Sequence, residues 1–365
     1  MSDLDTTKAF DLNAIGDDFC QDPFPTYRAL REHDPVHRNP DGTFLLTRYD
    51  DVAMALRHPA MSSDKKVDFK PKFGDSPLYT HHTTSLVFND PPIHTRVRKL
   101  LSAAFTPRKL KELEPLVERV IDDLLDDLAG VGEFDLVEDY ALLLPTQVIS
   151  EMLGIPPEHR HLLRGYSNLI LGALDPVVTP ENMQLGNQAV ADFEAMLEEL
   201  VAKRRENPED GEIGEVLAAL IFGDVDGEQL SAVELIQNCI FLLNAGHETT
   251  ANMMSSGIHM LVTNPGQLAR LRDDPALIEP AVEEFLRFQS PLQIGNRKAT
   301  EDVVFGDTMI AAGTFIHCGI AAANRDPAVF EDPENVDIGR TPNRHLAFSV
   351  GKHICLGNPL GRIEG

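Results

Sequence analysis

The chain has 365 residues, of which 42% are hydrophobic and 25% charged, a composition typical of a globular protein with a sizeable core. Lysine and arginine number 32 against 58 aspartates and glutamates, and the net charge of −26 repels phosphate backbones, so we expect no nucleic-acid partner. Apolar runs such as Ile240-Phe241-Leu242-Leu243 are far shorter than the roughly 18 residues of a membrane-spanning helix, so we expect no membrane anchor.

At the N-terminus, Met1 to Asp5 lack the basic start and the apolar run of a signal peptide. Four widely spaced cysteines indicate neither a disulfide framework nor a zinc site, because no two of them form a Cys-x-x-Cys pair. Both features predict a protein of the reducing cytoplasm.

Strand signals are few and short. The turn Asp41-Gly42 and the apolar run 43–47 predict a hairpin near the N-terminus. A turn at Gly306-Asp307, between the segments 303–305 and 314–316, predicts a second small sheet. We find no βαβ alternation, which argues against a doubly wound nucleotide-binding fold.

Helical periodicity dominates the rest of the chain. In the segment 116–128, apolar pairs recur four residues apart with acids between them, as in an amphipathic helix. Similar patterns occupy 145–153, 182–205, 214–221, 231–262 and 278–288. With no internal repeat and no linker, the sequence predicts a single domain over residues 1–365 that is mainly α with small β regions.

The segment from Pro91 to Leu110 runs against the acidic trend, since it carries five basic residues and no acid. The five are Arg96, Arg98, Lys99, Arg108 and Lys109. Such a patch can bind anions or an acidic protein, while a solvated helix face is the ordinary interpretation of a charge run.

The segment 231–262 opens with a capping box, in which Ser231 and Glu234 each satisfy a backbone N–H. Farther along, Ala245-Gly246-His247-Glu248-Thr249-Thr250 places a glycine and two threonines in mid-helix. The Thr249 hydroxyl can bond back to the Ala245 carbonyl, and the glycine weakens the helix by about 1 kcal/mol relative to alanine. We expect a bend or bulge that opens a local groove.

Cys355 stands in the loop Phe348-Ser349-Val350-Gly351-Lys352-His353-Ile354-Cys355-Leu356-Gly357, which a helical segment over 358–364 follows. Its glycines allow backbone to approach a flat ligand closely. Backbone N–H groups at a helix N-terminus stabilise a thiolate, the form of cysteine that binds metals. Two other interpretations stay open: a lone cysteine is more often a buried apolar residue, and His353 with Cys355 would suit a cysteine-nucleophile hydrolase.

The loop resembles the haem-binding loop of the cytochrome P450 monooxygenases, whose pattern is Phe-x-x-Gly-x-His/Arg-x-Cys-x-Gly. Every fixed position is matched, by Phe348, Gly351, His353, Cys355 and Gly357. The resemblance implies that Cys355 is the metal ligand, binding the iron of haem b from the proximal side. Electron donation from its sulfur would favour O–O cleavage.

Three further segments match the family in the same order along the chain. The segment 245–250 resembles its oxygen-binding helix, which implies that Ala245 and Gly246 lie beside the haem. By the same resemblance, Thr249 and Glu248 are the catalytic residues, because the chemistry needs a hydrogen-bond donor for dioxygen and a route for protons.

The other two matches concern structural and cofactor-binding residues. Glu284, Arg287 and Arg340 correspond to a buried triad that holds only when every charge is paired. Two buried propionates need cationic or hydrogen-bonding partners, and the resemblance assigns that role to His94, Arg98, Arg297 and His353.

The resemblance implies the triangular-prism cytochrome P450 fold. The family normally continues for some tens of residues beyond the position of Gly365, as a helix and β hairpins. We therefore expect that the C-terminal part of the fold is missing and that the domain is truncated after the haem-ligand loop.

The implied reaction inserts one atom of O2 into a small or medium hydrophobic substrate by hydroxylation or epoxidation, and the second atom leaves as water. No flavin or iron–sulfur motif is present, so the implied partners are a ferredoxin and an NAD(P)H-dependent ferredoxin reductase. Lys352 and part of the basic segment would face that acidic partner. A haem-thiolate peroxygenase or a ligand-binding haem protein is the alternative, but neither needs Glu248 and Thr249.

Positions in the family also imply where the substrate lies. The segment 65–88 is predicted to be a loop that closes the distal side. Asn244 either anchors a substrate oxygen or turns aside as a polar group of the helix face. The predicted pocket residues are Phe241, Asn244, Leu292 and Ile294.

Overall fold

The computed structural model describes residues 7–175, 178–208 and 214–365, and most of these residues are helical. Met1–Asp5, where we predict no signal peptide, lie outside the described residues. The helices are α1 (Asp17–Gln21), α2 (Phe24–His33), α3 (Tyr49–Arg57), α4 (Lys66–Phe73), α5 (Pro77–Thr84), α6 (Ile93–Ser102), α7 (Pro107–Leu128), α8 (Leu143–Leu153), α9 (Pro157–Gly172), α10 (Pro180–Glu206), α11 (Glu215–Phe222), α12 (Ala232–Thr263), α13 (Pro265–Asp273), α14 (Ile278–Phe288), α15 (Ile320–Ala323) and α16 (Asn358–Glu364).

The strands are short, as the sequence predicts. They are β1 (Val36–Arg38), β2 (Phe44–Leu46), β3 (Met61–Ser62), β4 (Ile294–Ala299), β5 (Val303–Phe305), β6 (Thr308–Ile310) and β7 (Phe315–Gly319). The prediction of a mainly α protein with small β regions is confirmed.

Two compact units are formed by the contacts within the chain. The first comprises Met1–Ser63 and Ser256–Cys355, and the second comprises Asp64–Ser255 and Leu356–Gly365. Within the described residues, every strand belongs to the first unit, and the second unit is mainly helical. The helix α12 runs from the second unit into the first without a break.

A five-stranded sheet lies in the first unit, in the order β1-β2-β7-β4-β3, and β5 pairs with β6 in a separate antiparallel ribbon. The predicted hairpin is β1–β2, with Val36 opposite Leu46. The prediction that 314–316 joins the second sheet is wrong, because β7 lies inside the larger sheet, parallel to β2 and antiparallel to β4. A strand's distant partners leave no trace in its local pattern.

The core of the first unit forms around this sheet. Phe44 and Leu46 of β2 pack in one cluster with Val52 on α3, Phe305 on β5 and Ile316 on β7. These side chains are all at most 8% exposed. Burial of apolar surface at roughly 25 cal/mol per Å² therefore holds strands and helix together.

Helix packs on helix in the second unit. Tyr166 of α9 and Phe193 of α10 meet edge to face with ring centroids 5.0 Å apart.

The segment 65–88, predicted to be a loop, instead contains α4 and α5, so that prediction is wrong. No helix within the described ranges is both long and apolar enough to cross a membrane.

The capping box of α12 is confirmed. The Ser231 backbone N–H donates to Glu234 Oε2 at 2.9 Å, and the Glu234 N–H donates to Ser231 Oγ at 3.3 Å. Both backbone N–H groups lie at the start of the helix, where N–H groups have no partners within the helix itself.

Candidate active site

The backbone of the Cys355 loop is held in one conformation by hydrogen bonds and packing. The Cys355 N–H donates to the Phe348 carbonyl at 2.8 Å, and the Ser349 N–H donates to the Leu346 carbonyl at 2.8 Å. Gly351 has a φ of 78°, and a Cβ there would lie 3.2 Å from the Leu56 carbonyl oxygen of α3. Glycine is therefore required at 351 both for the turn and for the close approach to α3.

The thiol of Cys355 differs from the other cysteines in its surroundings. Cys239 and Cys318 are fully buried in apolar cores, and burial raises the pKa of Cys239 to about 12. Cys355 is only partly buried, and Cys20 is exposed. Unlike Cys239 and Cys318, Cys355 is therefore a partly buried residue, and it stands on a loop whose backbone is fixed by hydrogen bonds.

The helix after the loop begins at Asn358, where the sequence predicts it, but Cys355 does not lie at its terminus. α16 starts at Asn358 with Gly357 as its N-cap, so Cys355 lies two residues before the cap and not at the helix terminus itself. A Cβ on Gly357 would meet no atom within 4 Å, which means that space is open beside this backbone. That space suits the close approach of a flat ligand.

The predicted triad is present in the first unit. Arg287 donates to both carboxylate oxygens of Glu284, at 2.7 and 2.8 Å, and Arg340 Nε donates to Glu284 Oε2 at 3.1 Å. Glu284 and Arg287 are fully buried. The Arg287 guanidinium also donates to the backbone carbonyls of Asn324 and Pro333. The triad therefore connects α14 to the segment that leads to the Cys355 loop.

The residues predicted to bind propionates lie in both units. In the second unit, His94 and Arg98 stand four residues apart on α6 and share one helix face, with His94 buried. In the first unit, Arg297 is buried on β4, and its Nη1 donates to the Asn296 carbonyl at 2.8 Å. His353 lies in the short helical turn before Cys355.

The predicted oxygen-binding segment lies in the middle of α12. Thr249 Oγ1 donates to the Ala245 carbonyl at 2.9 Å, as predicted. The expected bulge is absent, since α12 is α-helical at every residue from Ala232 to Thr263. The Ala245 carbonyl thus receives the extra bond without loss of the helix.

One strip of α12 is exposed although its neighbours are buried. The strip consists of Ala245, Glu248 and Thr249, whereas Leu243, Asn244 and Thr250 are buried. A Cβ on Gly246 would meet no atom within 4 Å. An open strip in mid-helix is the surface that a flat apolar group would cover.

Two of the predicted pocket residues lie on α12, and two lie at or just before the start of β4. Phe241 is half-buried and Asn244 is buried, both on α12 in the second unit. In the first unit, Leu292 is 51% exposed just before β4, and Ile294 is half-buried at its start. Phe241, Leu292 and Ile294 are thus apolar side chains that are only partly covered.

The basic segment is largely neutralised within the second unit. Arg96 pairs with Glu234 and Lys99 pairs with Asp226, while Arg108 pairs with Glu112 at 3.1 Å. Glu234 and Asp226 lie more than a hundred residues farther along the chain than their partners Arg96 and Lys99. The patch seen in the sequence is therefore mostly a set of ion pairs.

Two polar relationships in the second unit are invisible in the sequence. Ser167 on α9 donates to the Asn244 side-chain oxygen at 2.7 Å, and buried Glu364 on α16 hydrogen-bonds Thr250. Burial raises the pKa of Glu364 to about 8, and the bond from Thr250 opposes that rise. In the sequence, the only sign of these contacts is a polar residue, such as Asn244, on an otherwise apolar helix face.

A model of the family described as "Cytochrome P450" matches residues 35–158 and 165–365. The chain belongs to the cytochrome P450 family. It is 39% identical to "Cytochrome P450 107B1" of Saccharopolyspora erythraea, over 99% of this chain and 89% of that one. It is 38% identical to "Vitamin D(3) 25-hydroxylase" of Pseudonocardia autotrophica, over 99% of this chain and 88% of that one.

Among solved structures, this P450 is similar to P450BioI in complex with a hexadec-9Z-enoic acid ligated acyl carrier protein. The TM-score is 0.89 at 32% identity, with 96% of this chain and 90% of that chain covered. The P450 fold is therefore confirmed, and so are the haem cofactor and the class of reaction. This P450 is a haem-thiolate monooxygenase, an oxidoreductase that binds haem b.

The residues present fit that cofactor. A partly buried thiol on a fixed loop, open space beside Gly246 and Gly357, and an exposed strip on α12 are each what a haem needs from its protein.

Proposed function

We propose that this P450 hydroxylates or epoxidises a small or medium hydrophobic substrate on haem b, with Cys355 as the proximal ligand of the iron. The observation that carries the proposal is the Cys355 loop, in which a 2.8 Å hydrogen bond from the Cys355 N–H to the Phe348 carbonyl fixes the backbone of a partly buried cysteine. When bound, the haem supplies the activation of dioxygen that no side chain can perform.

The chain's own residues would position the substrate and move protons. Thr249 bonds to the Ala245 carbonyl and keeps its oxygen in the exposed strip, where the hydroxyl can relay a proton. Glu248, exposed in the same strip, would deliver that proton from solvent.

By the family resemblance, His94, Arg98, Arg297 and His353 would hold the propionates. Buried or half-buried cations and imidazoles offset the charge of two carboxylates that leave water. Phe348, Gly351 and Gly357 would shape the loop against the proximal face.

Electrons would come from a ferredoxin and its NAD(P)H-dependent reductase in the cytoplasm. Lys352 is exposed three residues before Cys355, so it is the cation best situated to meet an acidic donor. Arg96, Lys99 and Arg108 are less suited, because each already pairs with an acid.

The substrate would lie against Phe241, Asn244, Leu292 and Ile294. A relative named for vitamin D(3) supports a substrate of that size and apolarity. The pocket would therefore accept a molecule that is largely hydrocarbon and carries few polar groups.

Reconstitution with a bacterial ferredoxin, its reductase, NADPH and isotopically labelled dioxygen tests the proposal. Candidate substrates are first selected by the shift of the ferric haem to high spin, and products are then analysed by mass spectrometry. Incorporation of one labelled oxygen atom per product supports the proposal. Product formed only with added peroxide would instead favour a peroxygenase, and haem without any product would favour a ligand-binding protein.

A further inference from the structure

His345 stands three residues before Phe348, in the segment that leads into the Cys355 loop. Its side chain is only 3% exposed, although residues 343–346 form neither helix nor strand. A buried imidazole needs a partner at each ring nitrogen, because one nitrogen donates and the other accepts. The structure provides a partner for both.

Glu283 on α14 is the first partner of the ring. Its Oε2 lies 3.0 Å from His345 Nε2. The second partner is the backbone N–H of Ala347, which donates to His345 Nδ1 at 3.2 Å. Because Nδ1 accepts this bond, the ring proton lies on Nε2 and is donated to Glu283. The imidazole thus joins the backbone before the loop to a helix residue that lies 62 residues earlier in the chain.

The same ring packs beside Phe348. The two ring centroids are 6.0 Å apart and the ring planes are tilted by 53°, a separation at which aromatic rings attract each other. The Phe348 carbonyl in turn accepts the Cys355 N–H at 2.8 Å. A continuous series of contacts therefore runs from Glu283 through His345 and Phe348 to the backbone of Cys355.

Two adjacent acids of α14 serve different partners. Glu284 belongs to the buried triad, whereas Glu283 accepts from His345. Consecutive residues of a helix point about 100° apart, so one turn of α14 reaches both partners. Replacement of Glu283 therefore removes the contact with His345 and leaves every member of the triad in place.

A second anchor holds the backbone next to His345. The Leu346 N–H donates to Asn324 Oδ1 at 2.7 Å, and Asn324 Nδ2 donates to Ser290 Oγ at 2.8 Å. This anchor does not involve the imidazole, so the backbone stays attached when His345 is replaced. A substitution at His345 therefore tests its side-chain contacts and not the attachment of the whole segment.

We propose that His345, held by Glu283, is a positioning residue that keeps the Cys355 thiolate bound to the haem iron. The imidazole holds Phe348 in place, and the Phe348 carbonyl then keeps the Cys355 N–H in the orientation of the loop. Without the imidazole, the iron–sulfur bond breaks more often, and the freed thiolate takes a proton from water. This inference rests on the proposed function, because it requires Cys355 to be the iron ligand.

The test measures how fast the holoenzyme loses its thiolate ligand. The ferrous carbon-monoxide complex is formed in a low concentration of urea, and the decay of its thiolate band is followed with time. Far-ultraviolet circular dichroism of the same samples reports loss of the helices. The variants are His345→Phe, His345→Gln, Glu283→Ala and Glu283→Gln, together with the double variant of His345→Phe and Glu283→Ala.

The matched control is His37→Phe. His37 on β1 is also buried, and its Nδ1 lies 2.7 Å from Asp34. Its Nε2 lies 3.0 Å from the Phe10 carbonyl oxygen, and its ring lies 5.5 Å from the Phe10 ring. The control thus removes a histidine with the same kinds of contacts from a strand that is distant from the Cys355 loop in sequence.

We expect His345→Phe and Glu283→Ala to lose the thiolate band about five- to tenfold faster than the wild type, while the helical signal persists. His345→Gln keeps an N–H donor and Glu283→Gln keeps an acceptor oxygen, so both should lie between the wild type and His345→Phe. The double variant should decay no faster than the more affected single variant, because both substitutions remove the same contact. His37→Phe should decay at the rate of the wild type.

The inference is overturned if His345→Phe and Glu283→Ala keep the decay rate of the wild type. It is also overturned if their thiolate bands decay only in step with the helical signal, as a purely structural role predicts, or if His37→Phe accelerates the decay equally. A wild type that binds haem but shows no thiolate band contradicts the proposed function instead, and this result is seen before any variant is compared.

Discussion

Thr250 on α12 hydrogen-bonds Glu364 on α16, and both side chains are buried in the second unit. Burial raises the pKa of the Glu364 carboxyl from an ordinary value of 4.5 to about 8, so it carries a proton at neutral pH. Thr250 is two residues after Glu248 on α12, so the protonated acid lies on the opposite side of this helix from Glu248.

This burial makes stability depend on pH. In the unfolded chain Glu364 loses its proton near pH 4.5, whereas in the folded chain it keeps the proton up to about pH 8. The folded state therefore binds more protons between these values, and stability falls as pH rises, by at most about 1.4 kcal/mol per pH unit. Glu364→Gln should flatten this decline. Urea denaturation at pH 5 and pH 8 measures it, with the exposed Glu199→Gln as control; parallel profiles for wild type and Glu364→Gln would refute the prediction.

Replacement of Cys355 should abolish the haem-thiolate signature. Serine keeps the size of the side chain but removes the soft sulfur ligand, so Cys355→Ser is expected to lose the thiolate band of the ferrous carbon-monoxide complex and all monooxygenase activity. The exposed Cys20→Ser is the matched control and should be unchanged. A thiolate band that persists in Cys355→Ser would show that another residue binds the iron.

Thr249→Ala should uncouple electron consumption from product formation. Without the hydroxyl, the site lacks a positioned group that relays protons, and we expect the amount of product per NAD(P)H consumed to fall severalfold. Thr263→Ala removes an equivalent hydroxyl that bonds back to the His259 carbonyl at 2.8 Å on the same helix. Oxygen uptake, peroxide release and product are measured together, and equal coupling in both variants would contradict the proposed role.

Arg287→Ala should be severely destabilising. The substitution removes both hydrogen bonds that Arg287 donates to the fully buried Glu284 carboxylate. Breaking a buried ion pair in this way costs about 3–5 kcal/mol. Arg270→Ala breaks a half-exposed pair with Asp337 and should cost less than about 1 kcal/mol. Guanidinium denaturation compares the two, and Arg287→Lys, which keeps the charge but not the fork, should fall between them. Similar losses for Arg287→Ala and Arg270→Ala would sink the prediction.

Electron transfer should depend on Lys352 more than on Lys99. Lys352 is exposed near Cys355, whereas Lys99 is paired with Asp226. We expect Lys352→Ala to raise the ferredoxin concentration for half-maximal reduction severalfold, and we expect added salt to do the same in the wild type. A reduction rate that is independent of salt would exclude an electrostatic donor site.

Features that depend on neighbours in sequence were predictable. The capping box of Ser231 and Glu234, the bond from Thr249 to Ala245 and the β1–β2 hairpin all join residues a few positions apart. The loop around Cys355 is likewise a contiguous pattern, and Glu284 with Arg287 needs only one turn of helix. Local geometry alone determines such contacts.

Contacts between distant segments were decided by the tertiary structure. Asp226 and Glu234 neutralise a segment that has no acid of its own, and β7 pairs with β2, with Phe44 opposite Ile316, although the two strands are far apart in sequence. Only the contact of α9 with α12 gives Asn244 its partner Ser167, and only burial in the folded chain raises the pKa of Glu364. Burial and charge pairing depend on what lies nearby in space, which for these residues the order of amino acids alone does not reveal.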